Sequence, residues 1–284
     1  MDNKLRFVVV VAMVAVTALF SAVAYSQDSS KEVIRIKGSD SMADLVDFMA
    51  REFMKNNPGC NIIVSGGASP IDAVDSLCKR ETEIIMQGHD VDKSAKDAAA
   101  KKGVTFTERI IGWGGIAIIT NPSNPVNELT VEQVRKLFTG EITNWNQVGG
   151  FDEPISLLTV GEKRPGTLDF FTKDFLKAPI ASHAVTKAFF RSIIPAVAES
   201  KNATGFVRIR NLVQLKEQGQ EAIVKVIAVK KDNNSPAILP TRDTVNDGTY
   251  PITRPFLLYA DVNNEGKATR SFLEFCASKN PRKM

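Results

Sequence analysis

From about residue 33 onward the chain repeats one pattern: a β-branched apolar run, a short loop of small residues, then an amphipathic stretch. This alternation constrains the fold more than any other feature. A strand followed by a helix that carries the chain back to the next strand builds βαβ units and a mostly parallel sheet. The spacing predicts a first unit with a strand from Val33 to Ile36, the loop Gly38-Ser39-Asp40-Ser41 and a helix from Met42 to Asn56. That helix carries Leu45, Met49 and Phe53 on one face and stops at Asn57-Pro58-Gly59. The second unit has a strand from Asn61 to Val64, the loop Ser65 to Ser69 and a helix opened by Pro70, a residue suited to a first helical turn. The third runs from a strand at Glu83 to Met86 through Gln87-Gly88-His89-Asp90 into a polar helix around Asp92 to Lys101.

An apolar, glycine-interrupted strand from Thr105 to Thr120 then leads into Asn121-Pro122-Ser123-Asn124-Pro125, whose composition marks a crossover between lobes. The expected division is lobe I at 32–118 plus 230–284 and lobe II at 119–229. In lobe II, Thr130 and Gln133 stand at capping-box spacing before a helix from Val131 to Phe138, with Gly140 at its end. A strand at Ile155 to Val160 follows, and Thr167 is placed to cap a helix containing Phe170, Phe171 and Phe175. Beyond lie a helix from Val185 to Ser200, the run Gly205-Phe206-Val207 and a strand from Val224 to Val229. A strand at Phe256 to Tyr259 and a helix from Thr269 to Ser278 close the chain.

The first residues have a different character. Lys4 and Arg6 precede an apolar run from Phe7 to Phe20 that continues through Ala24 and ends on small residues. This is the layout of a signal peptide over 1–26; the alternative is an uncleaved anchor, and either reading puts the remainder outside the cytoplasm. The formal charge of +4 is mild and its basic residues are scattered, which argues against nucleic acid as a partner. Three cysteines without CxxC spacing disfavour a zinc site or a redox motif. Cys60 and Cys78 either form a disulfide or stay as buried thiols beside Cys276. His89 and His183, the only histidines, have no neighbours at metal-ligand spacing, so neither a metal nor a cofactor is expected.

Several of the strand-to-helix turns carry hydroxyls immediately before a helix. In an open parallel sheet such turns gather at the carboxyl ends of the strands. Helix N-termini that converge there offer backbone N–H groups and the positive ends of dipoles, which together make an anion cradle without a high net charge. Ser39, Ser41, Ser69 and Thr167 add hydroxyl donors; each taken alone also reads as a simple helix cap.

With those residues in view, the chain resembles the phosphate-binding proteins of ABC importers, within the periplasmic binding-protein superfamily. The resemblance rests on Gly38-Ser39-Asp40-Ser41-Met42, Ser65-Gly66-Gly67-Ala68-Ser69, the segment Leu137 to Trp145, Gly166 to Phe171, and Tyr250 to Pro255. It implies an α/β, two-lobe periplasmic-binding-protein fold of type II-like form, with mixed, mostly parallel sheets and helices on both faces. It also implies that Ser41 and the backbone at Met42 contact the anion from the first loop, Ser69 from the second, and Gly166 with Thr167 from the second lobe. Asp90 stands where such proteins place an acceptor for the proton of the bound anion; its other reading is a solvated cap for the helix near Asp92. The sequence departs from the family's pattern between Gly161 and Thr167, where Gly161 stands at the usual arginine position and Pro165 replaces a donor. Arg164, one turn before Thr167, restores a guanidinium from another direction.

The resemblance thus implies a periplasmic, monomeric, non-enzymatic protein that captures inorganic phosphate or a similar tetrahedral oxyanion and delivers it to an ABC importer permease. A receptor of the same fold that reports anion without transport is one alternative. A serine-dependent hydrolase using Ser69 or Ser41 is another, disfavoured by the absence of a G-x-S-x-G turn.

Overall fold

The structure, a computed structural model, describes residues 31–161 and 165–283. The expected signal peptide and Arg164 lie outside the described residues. β1 (Glu32–Gly38), α1 (Asp40–Asn56), β2 (Cys60–Ser65), α2 (Pro70–Cys78), β3 (Ile84–Gln87) and α3 (Lys93–Lys101) form the three anticipated strand–helix units. β1 lies between β2 and β3 and runs parallel to both. The β1–α1 turn needs glycine: Gly38 has φ +149°, and a Cβ there would stand 2.1 Å from the Met86 carbonyl oxygen.

β4 (Phe106–Thr120) is followed by β5 (Glu128–Thr130) and α4 (Val131–Thr139), then β6 (Ser156–Val160) and α5 (Pro165–Asp169), which widens into a π-helix over Phe170–Leu176. Next come β7 (Val185–Lys187), α6 (Phe190–Ala198), β8 (Ala203–Arg208) and α7 (Ile209–Glu217). The chain ends through β9 (Lys225–Val226), β10 (Ala228–Lys230), α8 (Arg242–Asn246), β11 (Thr253–Asp261) and α9 (Lys267–Ser278). The main sheet has the order β2-β1-β3-β11-β4-β8-β6-β7, with β9 also beside β4. Its outer pairs are parallel, whereas β11 runs antiparallel to β3 and β4, and β4 antiparallel to β8 and β9.

Helices cover both faces of the first lobe. α1 and α9 close one face, with Phe53 packed against Phe272 and Phe275, while α2 and α3 close the other through Ala73, Leu77 and Ala99. The second lobe has its own core, centred on an aromatic cluster in which Phe171 stacks on Phe206 at 4.1 Å and meets Phe138 edge-on at 4.9 Å. The Thr130–Gln133 capping box forms as its spacing predicts, and Gly140 ends α4 in the left-handed conformation.

The two lobes share β4 and β11. Fifteen residues of β-strand reach about 50 Å, enough for Ile111 to pack in the first lobe and Ile116 in the second. Core packing therefore divides the chain within β4, ahead of the proline-rich Asn121–Pro125 segment. The return crossing lies between Ile252 and Leu257, because Val245, Tyr250 and Ile252 pack in the second core.

Local differences have local causes. Val185–Lys187 pairs in parallel with β6 as a strand, so the expected helix begins only at Phe190. The run Val224 to Val229 splits around buried Ile227 into β9 against β4 and β10 against β5. Thr167 lies inside a helix that already starts at Pro165, and so does not cap it. All three cysteines are free thiols. No helix among the described residues is long and apolar enough to cross a membrane.

Candidate functional site

At the carboxyl ends of β1, β3 and β8, where the lobes meet, lies a small cavity of about 50 Å3. Ser39, Asp40 and Ser41 line it from the β1–α1 turn, Gly67 and Ala68 from the β2–α2 loop, and Gly166 with Thr167 from the second lobe. Pro70, Gln87, Phe190 and Arg208 complete the wall. The first residues of α1, α2, α5 and α6 thus converge on one space, with Arg208 preceding α7. Each helix start brings N–H groups without intrahelical partners and the positive end of its dipole.

Directly behind this wall sits Arg254, 2% exposed. Its Nη2 donates to Ser41 Oγ and to Thr167 Oγ1, both at 2.9 Å, and its Nη1 donates to the Gly166 carbonyl at 2.8 Å and the Gly88 carbonyl at 3.4 Å. No carboxylate among the described residues lies within ion-pair distance of this guanidinium. Burial, reinforced by the charge of Arg208, pulls its pKa down to about 9. Gly88 makes room for it, since a Cβ there would meet Arg254 Nη1 at 2.5 Å.

Because a hydroxyl that accepts from a guanidinium keeps its own proton to give, Arg254 orients Thr167 toward donating into the cavity. Ser41 acts together with Ser39, whose Oγ lies 2.9 Å away. Ser39 also faces Gly166 closely: a Cβ on Gly166 would stand 3.0 Å from Ser39 Oγ. Arg208 lies over the Phe190 ring at 5.2 Å, which fixes its guanidinium at the wall. Asp40 is the one acidic residue in the lining among the described residues, and its carboxylate rests against Gly66 and Gly67.

Of the residues singled out from the sequence, Ser39, Ser41, Gly166 and Thr167 come together here. Met42 does not line the cavity: its side chain is fully buried in the first lobe and its N–H donates to the Ser39 carbonyl at 3.0 Å. Ser69 serves α2 as a cap, accepting from the Asp72 N–H at 3.1 Å and donating to the Asp72 carboxylate at 2.7 Å. Asp90 points elsewhere, accepting from Tyr259 at 2.6 Å and Lys96 at 2.7 Å. Partial burial pulls its carboxyl up, and those two donors outweigh that effect, leaving it below the usual carboxylate range. His89 is buried beside it, with Nδ1 2.8 Å from the Asp90 carbonyl.

Sequence reasoning missed Arg254, Arg208, Asp40 and Gln87. Arg208 ends a strand and precedes a helix, so the strand-to-helix grammar held the signal; the turn lacks the Gly/Ser loop that marked the others. Arg254 was visible as a lone cation at the start of an apolar strand, where an inward-facing charge asks for a ligand or a partner.

A family model described as a PBP superfamily domain matches residues 24–280. Protein SphX of Synechococcus elongatus is 26% identical over 274 residues, which span 93% of this chain and 79% of SphX. Phosphate-binding protein PstS of Bacillus subtilis is 25% identical over 263 residues, 92% of this chain and 80% of its own length. The crystal structure of an ABC-type phosphate transport receptor from Vibrio cholerae matches with a TM-score of 0.71 at 27% identity, over 88% of this chain and 96% of that one.

Proposed function

Since the chain belongs to the PBP superfamily, we propose that it captures inorganic phosphate between its two lobes and delivers it to the permease of an ABC importer. The observation that carries this reading is Arg254: a buried guanidinium with no carboxylate partner among the described residues, held behind a cavity into which several helix starts point. A compact multivalent anion supplies the missing countercharge, accepts hydrogen bonds from Thr167 and from one hydroxyl of the Ser39–Ser41 pair, and accepts from the free N–H groups of the helix starts. Similarity to phosphate-binding relatives over nearly the whole chain supports phosphate as that anion.

Arg254 belongs to the strand pair that joins the lobes, and it touches Ser41 of one and Thr167 of the other. An anion bound in front of it therefore favours the closed arrangement, the form that a permease would recognise. The protein works outside the cytoplasm, in the periplasm, as a binding component and not as a catalyst. Its serine hydroxyls are arranged to donate to an anion.

Asp40 is the selectivity residue in this reading. Two like unit charges 4 Å apart repel by about 4 kcal/mol at an effective dielectric of 20. Monohydrogen phosphate relieves that repulsion by placing its proton on the shared line, and sulfate has no proton to place. Calorimetric titration of protein stripped of bound anion tests the proposal. Phosphate is expected to bind at least about tenfold more tightly than sulfate, and Asp40→Asn to narrow that ratio. Equal affinities for the two anions, or no heat with phosphate, would overturn it.

A further inference from the structure

Gln87 is the polar end of an otherwise apolar strand. It follows Ile84, Ile85 and Met86 in β3, pairs with Leu257 of β11, and is 2% exposed. A carboxamide so deeply buried needs a partner at each end, because an unmet polar group in the interior forfeits the hydrogen bonds that water gave it. One end has its partner: Nε2 donates to the Pro70 carbonyl at 3.3 Å. A carbonyl can only accept, so the atom that faces it is the amide's NH2 group, and the orientation of the side chain is fixed. The other end has none, since Oε1 makes no hydrogen bond among the described residues. Nor is Oε1 sealed in protein, and Gln87 lines the small cavity beside Pro70. Oε1 is therefore a neutral acceptor that opens to the bound anion, on a wall whose hydroxyls and helix starts are donors.

We propose that Gln87 determines which form of the anion the site prefers: its Oε1 accepts a hydrogen bond from a phosphate hydroxyl, which favours the dihydrogen form. This inference rests on the phosphate reading and adds a second acceptor to Asp40. Monohydrogen phosphate has one proton for two acceptors, so one of its bare oxygens stands against a lone pair. Dihydrogen phosphate supplies a proton to each, and sulfate supplies none. The amide cannot turn its NH2 group toward a protonless anion without leaving Pro70 and setting two oxygens face to face. Being neutral, it selects by protons without adding a like charge beside the ligand.

The test is calorimetric titration of phosphate and of sulfate into protein stripped of bound anion, at about pH 5.5 and about pH 8, on either side of the second phosphate ionisation. The charged groups at the cavity are Asp40 and Arg208, with Arg254 behind its wall, and the whole range stays below the value of about 9 to which Arg254 is drawn. The wild type is expected to bind phosphate at least about threefold more tightly at the lower pH. Gln87→Met keeps the chain length and removes the acceptor. It is expected to weaken phosphate at least about tenfold at the lower pH and less than about threefold at the higher, and to leave sulfate unchanged or tighter. A packing defect would weaken both anions alike at both pH values. Gln87→Glu gives an answer even if Gln87→Met fails to fold. Its carboxylate is expected to weaken phosphate at least about tenfold at the higher pH, and the protonated carboxyl, donating to Pro70 and accepting from the ligand as the amide does, to restore binding at the lower. Equal wild-type affinity at both pH values, equal losses of phosphate and sulfate in Gln87→Met, or no recovery of Gln87→Glu at the lower pH would each overturn the proposal and leave phosphate capture standing. No phosphate heat with the wild type would overturn both.

Discussion

Replacing Arg254 with Met removes the guanidinium and keeps most of the side-chain volume. In the native protein the charge is almost wholly buried, and burial lowers its pKa from the ordinary guanidinium range to about 9. A drop of more than three decades in proton affinity corresponds to a cost of about 5 kcal/mol for holding the charged form in the ligand-free protein. The four hydrogen bonds it makes to Ser41, Thr167, Gly88 and Gly166 return about 1 kcal/mol each. These terms nearly cancel, so the ligand-free Arg254→Met protein should melt within a few degrees of the wild type.

Phosphate binding should behave quite differently. Removing one member of a buried charge pair costs about 2–5 kcal/mol of affinity, a loss of roughly thirty-fold to several-thousand-fold. Titration calorimetry reads the affinity, and melting with and without excess phosphate reads the same loss as a smaller ligand-induced rise. The pH profile adds a sign that no packing defect reproduces. The folded pKa of Arg254 lies below its unfolded value, so between about pH 9 and 12 the unfolded chain binds more protons and the residue's contribution to ligand-free stability rises with pH. Over that range phosphate affinity should fall about tenfold per pH unit, as the countercharge is lost. A variant that retained phosphate affinity within about threefold and melted far below the wild type would refute the assignment and make Arg254 a structural tie.

Other substitutions separate neighbouring roles. Ser69→Ala should lower stability by about 1 kcal/mol through loss of the α2 cap and leave phosphate affinity nearly unchanged, as read by melting and calorimetry. Gly88→Ala forces a Cβ against Arg254 Nη1 and should weaken phosphate binding about tenfold or more without touching the anion. Asp90→Asn, which disturbs contacts to Lys96, Tyr259 and the Val91 backbone, should leave the phosphate-to-sulfate ratio unaltered. Phe171→Ala should destabilise by about 3–5 kcal/mol in denaturant titration, because its ring is enclosed by Phe138, Phe206 and Phe175.

The sequence by itself determined whatever depends on near neighbours. The three strand–helix units, the Thr130–Gln133 capping box and the left-handed Gly140 follow from residues a few positions apart, and the convergence of helix starts follows from the handedness and order that βαβ units impose. Ser39, Ser41, Gly166 and Thr167 were legible for that reason. What only the tertiary structure decided was which charges face the cavity. Ser41 and Thr167 meet one guanidinium across 213 and 87 residues, and no local spacing encodes that meeting. Asp90 and Asp40 both stand at strand-to-helix turns and look alike as letters. Tyr259 and Lys96 draw the first away, while the close approach of Gly66 and Gly67 holds the second at the wall. Electrostatic partners are chosen by distance in space, and that distance is set only when β4 and β11 bring the two lobes together.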